Sequence, residues 1–294
     1  MKLRSFNLPA VLHGTRIIGL SLNLPGPAAL MRCQQMGADC VKFEPPAADP
    51  MTQYNLAAYA QLHKNIDVQT LDLKHEVGQQ RLHAELATAD VLITSFRPSA
   101  LAKLGLTWQA LHRQHPHLSQ VAIVGAPGER AEEPGHDLTY LAENDLVTGL
   151  DLPATLYADM GGSLMASEAV LQAVMHQRSA GKGIYLEVAL STAAGYLALP
   201  LTWGLTQPGA AVGGGHAGYR VYRCWNGRVA LAALEPHFAA RLCAAAGIEV
   251  GNSMQTMFEP ETHAAVAAFL LTLTCEQLAQ LAAEKDIPLS VLAN

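Results

Sequence analysis

Residues 16–43 read RIIGLSLNLPGPAALMRCQQMGADCVKF. The stretch opens with a short apolar run, RIIGL, and is punctuated by Pro25-Gly26-Pro27. It continues in a helical pattern over residues 28–36, closed by Gly37, and returns to a second apolar run, CVKF, that Pro45-Pro46 stops. Strand, helix and strand within about 30 residues mark a βαβ unit and therefore a parallel sheet. The same alternation continues outward. Residues 69–73 are a third candidate strand, 77–87 a helix, 90–94 (DVLIT) a fourth strand and 121–124 (VAIV) a fifth. A long helix is expected from about Asp159 to Arg178, stopped by SAGKG at 179–183, with a strand over 184–189.

Past Pro200 the pattern changes. Residues 209–218 are rich in Gly and Ala, and the apolar runs 219–224 and 228–232 flank Trp225-Asn226-Gly227. Asn-Gly between such runs signals a hairpin. Helical segments are expected from there to the end. The chain thus reads as α/β: a Rossmann-like parallel-sheet domain over residues 1–199 and a smaller α+β domain over 200–294. In sheets of the first kind, ligands bind beyond the carboxyl ends of the strands.

Bulk composition narrows the function classes. Of 294 residues, 50% are hydrophobic and 15% charged, enough to bury a sizeable core and against general disorder. The net charge of −6, with no basic stripe, argues against nucleic acid as the main partner. Cys33, Cys40, Cys224, Cys243 and Cys275 form no CxxC pair, so a zinc ribbon or thioredoxin-type centre is unsupported and a reducing compartment is expected. The N-terminal residues lack an apolar leader segment, and the longest apolar stretch, residues 193–205, is broken by Gly195, Pro200 and Gly204. A soluble cytoplasmic protein is the expectation, with no membrane partner.

Residues 125–128 (GAPG) follow a strand but lack the rest of a dinucleotide fingerprint, and no GxxxxGK[ST] loop occurs, so NAD and ATP are poor ligands for this chain. Three polar residues stand out. His136 lies in a polar, loop-like stretch, ERAEEPGHDLTY. Asp159 precedes Met160-Gly161-Gly162-Ser163 at a helix start. Glu235-Pro236 separates an apolar run from a helix. Taken alone, these read as a surface histidine, a helix-capping acid and an acid complementing a helix dipole. A helix start has a chemical use as well, since its N–H groups can hold a developing oxyanion.

In order along the chain, residues 17–27 (IIGLSLNLPGP), 36–45 (MGADCVKFEP), 71–74 (LDLK), 89–98 (ADVLITSFRP), Leu104-Gly105-Leu106, 159–183 and 219–238 (YRVYRCWNGRVALAALEPHF) resemble the family III CoA-transferases. Within them the chain is most similar to the α-methylacyl-CoA racemases. The resemblance implies that Asp159 is the family's aspartate: a nucleophile in the transferases, one of two acid/base groups in the racemases. It implies that His136, in a GHD…Y segment ending at Tyr140, and Glu235, in an EP-x-F segment, complete a racemase set. Gly161 and Gly162 are expected at the thioester oxygen, with Tyr140 beside the substrate. The same resemblance places coenzyme A against Leu24, Pro25, Leu71, Ser95, Phe96, Arg97, Lys103 and Leu104, with Arg97 and Lys103 as phosphate partners.

On this reading the substrate is an acyl-CoA thioester and no cofactor beyond coenzyme A is needed, nor any metal. The assembly is expected to be a homodimer, of the family's interlocked type with a truncated C-terminus. Two further readings follow from the same residues: a CoA-transferase that uses Asp159 as nucleophile, and a non-catalytic relative that binds a thioester. The second is motivated by Pro45, Ile66 and Asp67, which stand where relatives carry cations.

Overall fold

In a computed structural model, the structure describes residues 9–249 and 254–293. Contacts divide the chain into two compact units, 1–198 and 199–294.

The first unit is built on six parallel strands: β1 (Arg16–Leu20), β2 (Asp39–Glu44), β3 (Asp67–Thr70), β4 (Val91–Thr94), β5 (Ser119–Val124) and β6 (Tyr185–Ala189). Their order is β3-β2-β1-β4-β5-β6, so the direction of winding reverses between β1 and β4. Alternate residues of the central strands enter opposite cores, as the two-residue repeat of a strand requires. Ile17, Val91, Ile93, Val121 and Ile123 pack on one face with Ala166, Val170 and Ala173 of the long helix Tyr157–Ala180. Ile18, Leu20 and Leu92 pack on the other with Leu82, Leu86 and Leu111. Burial on both faces is why these strands are nearly continuous apolar runs.

Several elements differ from expectation. The third strand is Asp67–Thr70, two residues earlier than expected. Its register with β2 ends at Glu44↔Thr70, and the Leu71 amide then bonds the Glu44 carbonyl at 2.7 Å. This strand lies at the sheet edge, where polar side chains are tolerated, and that hid it. The first helix is Pro25–Gln35 and starts on the prolines, three residues before the expected helical pattern, because proline fits the first helical position. The stretch around His136 is not all loop, since Asp137–Ala142 is helical.

The second unit holds a three-stranded antiparallel sheet, β7 (Tyr219–Cys224), β8 (Gly227–Ala232) and β9 (Leu289–Ala293), in that order. Trp225 and Asn226 form the hairpin loop, and the Asn226 Oδ1 accepts the Cys275 amide at 2.8 Å. Helix is not the last element: β9 pairs with β8 from Leu231↔Leu289 to Gly227↔Ala293. Helices Pro236–Ala246, Pro260–Leu271 and Cys275–Lys285 pack Leu242, Val266, Leu270 and Leu278 into this unit's own core. Among the described residues no single helix is long and apolar enough to cross a membrane.

Candidate functional site

The reversal of strand order between β1 and β4 splays the loops that follow them, which opens a crevice at the carboxyl edge of the sheet. A cleft of about 700 Å³ lies there. The loop after β1 supplies Leu22, Asn23 and Leu24, with Pro25 at the helix start. The loop after β4 supplies Ser95, Phe96 and Arg97, and β5 ends in it at Val124 and Gly125. The Leu22 amide bonds Ser95 Oγ at 3.4 Å, tying the two loops across the switch point.

His136 and Asp159 line this cleft together. His136 is the residue before the helix Asp137–Ala142, in extended backbone (φ −142°, ψ 169°). The Thr139 hydroxyl fixes it from both sides, accepting its amide at 3.1 Å and donating to its carbonyl at 2.8 Å. Tyr140, one turn on, folds back under it. A Cβ at Gly135 would lie 2.6 Å from the Tyr140 hydroxyl, and one at Gly125 would lie 2.2 Å from it. Two glycines therefore make room for one phenol, which explains the spacing of glycine, histidine and tyrosine in this segment. Tyr140 is buried and lines the cleft. Burial, then the charges of Asp159 and Glu143, raise its pKa.

Asp159 sits in the first turn of the helix Tyr157–Ala180, two residues inside it and not at its cap; Leu156 is the cap and offers no side-chain bond. The missing cap is supplied from elsewhere. Asp137, buried, accepts the Asp159 amide on Oδ1 at 2.9 Å. This brings a second carboxylate beside the first. Burial and then the Asp137 charge push the Asp159 carboxyl up from 3.8 to about 6, against a smaller opposing pull from His136. A group with that pKa can both hold and release a proton near neutral pH.

The remaining expected residues are distributed as follows. Leu24, Pro25, Ser95, Phe96 and Arg97 line the cleft. Leu71 and Leu104 line a second, apolar cavity of about 350 Å³, bounded also by Leu20, Phe43 and Pro45, and Phe96 belongs to both. Lys103 lines neither; it is exposed at the end of the helix Pro98–Lys103, where a cation complements the helix dipole. Lys74 is the cation that the structure puts at the apolar cavity. Ile66 is buried in the main core, and the exposed Asp67 carboxylate accepts from Gln69, whose side-chain oxygen accepts from Arg81.

Gly161 and Gly162 do not face the cleft. They lie beyond the helix's first turn, where amides bond to carbonyls four residues earlier. A Cβ at Gly162 would lie 2.3 Å from Leu190 Cδ2, and one at Gly161 would lie 3.2 Å from Leu197 Cδ1. These glycines let the helix Leu190–Leu197 approach, and their amides, engaged within their own helix, are not free for an oxyanion. Glu235 belongs to the second unit, exposed, as the residue before the helix Pro236–Ala246, with its carbonyl accepting the Phe238 and Ala239 amides at 2.9 Å.

Among the cleft residues that the sequence reading missed, two are coupled by charge to Asp159. One is Asp137, although it stands next to His136. The other is Tyr54, whose hydroxyl donates to Asn23 Oδ1 at 3.3 Å and whose pKa is raised by burial and by Asp49 and Asp159. Among the described residues one set of metal-ligating types converges: Glu44, Asp49 and His63. The Lys42 ammonium sits within 2.6–2.9 Å of a side-chain atom of each, so a cation is already built in.

The sequence pattern of CoA-transferase family III matches residues 12–294. The chain belongs to that family. Its relatives include the α-methylacyl-CoA racemase of Homo sapiens, 27% identical over 271 residues, covering 85% of this chain and 69% of that one. They also include the cinnamoyl-CoA:phenyllactate CoA-transferase of Clostridium sporogenes, 28% identical, covering 62% of this chain and 50% of that one. The chain thus spans half the length of that transferase. Crystallised Rv3272 from Mycobacterium tuberculosis shares the fold, with a TM-score of 0.83 at 24% identity, over 97% of this chain and 86% of that one. The relatives of this chain thus include both a racemase and a transferase.

Proposed function

We propose that this family III chain racemises the α-carbon of a 2-methylacyl-CoA thioester. One observation carries the reading: an imidazole and a carboxyl group that titrates near neutrality, His136 and Asp159, line one cleft at the switch point of the sheet. Moving a proton from one face of a carbon to the other needs a base and an acid on opposite sides, each able to exchange roles. An imidazole and a carboxyl with a pKa of about 6 suit that exchange. Enolate charge on the thioester oxygen falls to first-turn amides of the helix Tyr157–Ala180, which lack partners within the helix. Glu235 enters by family resemblance alone, as the third residue of the racemase set. Coenzyme A extends along the cleft past Arg97 toward the apolar cavity and Lys74. The chemistry asks for no metal or redox cofactor, and the working form is a homodimer in the cytoplasm.

The test is α-deuterium exchange from D2O into 2-methylacyl-CoA thioesters. The wild-type protein exchanges the α-hydrogen, and His136→Ala abolishes exchange while leaving the circular dichroism spectrum intact. Exchange that survives His136→Ala rejects the assignment. The transferase reading has its own support in the transferase relatives and in a half-buried carboxylate that is mostly ionised at pH 7. In that case Asp159 attacks the thioester carbonyl, the CoA thiolate leaves, and an acyl anhydride forms on the enzyme. A hydroxylamine-sensitive adduct at Asp159, formed with acyl-CoA and a free acid, decides for it. Silence in both assays across a panel of thioesters leaves the binding-only relative.

A further inference from the structure

Lys42 stands on β2, one strand in from the edge of the sheet, and its side chain ends in a fully buried polar site. Its side chain is fully buried, as is that of Asp49, and Glu44 is nearly so. A lysine ammonium has three protons, and here it has three acceptors: Glu44 Oε1 at 2.9 Å, Asp49 Oδ2 at 2.6 Å and His63 Nε2 at 2.9 Å. His63 Nδ1 lies 2.7 Å from the Tyr59 carbonyl, which fixes the proton on Nδ1 and leaves Nε2 to accept. Burial lowers the pKa of His63, in keeping with a neutral ring.

The acceptors are themselves anchored outward. Glu44 accepts the Tyr59 hydroxyl at 2.9 Å and the Asp49 amide at 3.1 Å, and it borders the apolar cavity. Asp49 accepts the Met51 amide at 2.9 Å. Both of its oxygens also lie 3.1 Å from the Asn23 amide. Asn23 is a non-glycine residue at φ 64°, in the left-handed region, and it forms part of the wall of the candidate cleft. Asparagine tolerates that conformation but does not prefer it, so something must hold it there. The hold comes from a carboxylate whose own position is set by a buried ammonium.

We propose that Lys42 is a positioning residue: with Glu44, Asp49 and His63 it forms a buried clasp that holds the Asn23 turn in its left-handed conformation and so shapes the wall against which the acyl-CoA lies. The effect on substrate rests on the acyl-CoA reading; the effect on the turn does not. The primary measurement therefore needs no ligand. Amide hydrogen exchange is compared between the wild-type protein and Asp49→Asn, which keeps the shape and removes the charge. Exchange at residues 22–24 is expected to rise about tenfold, the size of losing one charge-assisted hydrogen bond, while residues 91–94 and 119–124 stay protected. Should Asp49→Asn fail to fold, His63→Leu keeps every charge and is expected to shift the same amides in the same direction by less.

Kinetics then separate positioning from general damage. Asp49→Asn is expected to raise KM for the thioester about tenfold with kcat changed by less than about threefold, because the turn lines the cleft and does not carry His136 or Asp159. Glycine adopts positive φ without help, so Asn23→Gly combined with Asp49→Asn is expected to recover most of the KM that Asp49→Asn loses relative to its parent. Unchanged exchange at 22–24 in the folded variants overturns the clasp whatever the substrate is. So does a KM that the glycine leaves unimproved. A wild-type protein that ignores every acyl-CoA counts against the proposed function, and the exchange comparison still decides the clasp.

Discussion

Two sets of carboxylates stand at the carboxyl edge of the same sheet, and they are built on opposite plans. Beneath the loop after β1, Glu44 and Asp49 share one buried ammonium, and every proton of Lys42 has an acceptor. At the start of the helix Tyr157–Ala180, Asp159 has a second carboxylate as its neighbour. Among the described residues its own carboxyl group makes no hydrogen bond or ion pair. The first set is closed and suits holding a shape. The second is left in tension, with its proton affinity raised, and suits moving a proton. Chemical readiness in this fold is marked by the acid on which burial and a neighbouring carboxylate outweigh the pull of the nearby imidazole.

The comparison breaks first at Asp159. Asp159→Asn is expected to lower α-exchange by about 10³-fold, the usual scale of losing an acid/base group. The same substitution is expected to stabilise the protein. The folded-state pKa of about 6 lies above the ordinary 3.8, so the folded form binds the proton more tightly than the unfolded chain does. The stability this confers is complete below pH 3.8 and is lost as the pH rises through 6. At pH 8 the variant should gain about 2 kcal/mol over the wild type, after discounting for partial solvation, and little at pH 3.5. Urea titrations at the two pH values measure this; a variant less stable than wild type at pH 8 refutes the idea that Asp159 is held in tension. At the closed set the sign reverses. Lys42→Met leaves two carboxylates facing each other without a cation, and a loss of about 3–5 kcal/mol is expected in the same titration. A loss below about 1 kcal/mol would mean that water reaches the site.

The difference between the two plans also governs what was legible. The central strands could be read because burial on both faces writes them as apolar runs. The parallel sheet and the hairpin at Asn226 followed from local patterns. The edge strand Asp67–Thr70 was displaced and β9 was missed, since their places depend on a partner strand far along the chain. At the site, His136 and Asp159 could be named from sequence because family resemblance marks them. The coupling of Asp137 to Asp159 spans 22 residues and that of Lys42 to His63 spans 21, and neither shows as a periodicity. Lys42 itself looked like one polar residue in the run CVKF. Gly161 and Gly162 misled in the opposite sense: small residues beside a candidate acid suggest room for substrate, while here the room is taken by Leu190 and Leu197.

The finest discrimination lies within the open set. Burial is the larger cause of the raised Asp159 pKa and the Asp137 charge is the next. Asp137→Asn removes the second cause and keeps the first. The amide oxygen can still accept the Asp159 N–H, so the helix start remains capped. The limb near pH 6 in the profile of kcat/KM for α-exchange is therefore expected to move to lower pH without reaching the ordinary carboxylate value. A limb that stays in place assigns the whole shift to burial, and Asp137 is then only a cap. A limb that falls the whole way assigns the shift to the neighbouring charge, so that the site works as a coupled carboxyl pair with Asp159 as the member that meets the substrate.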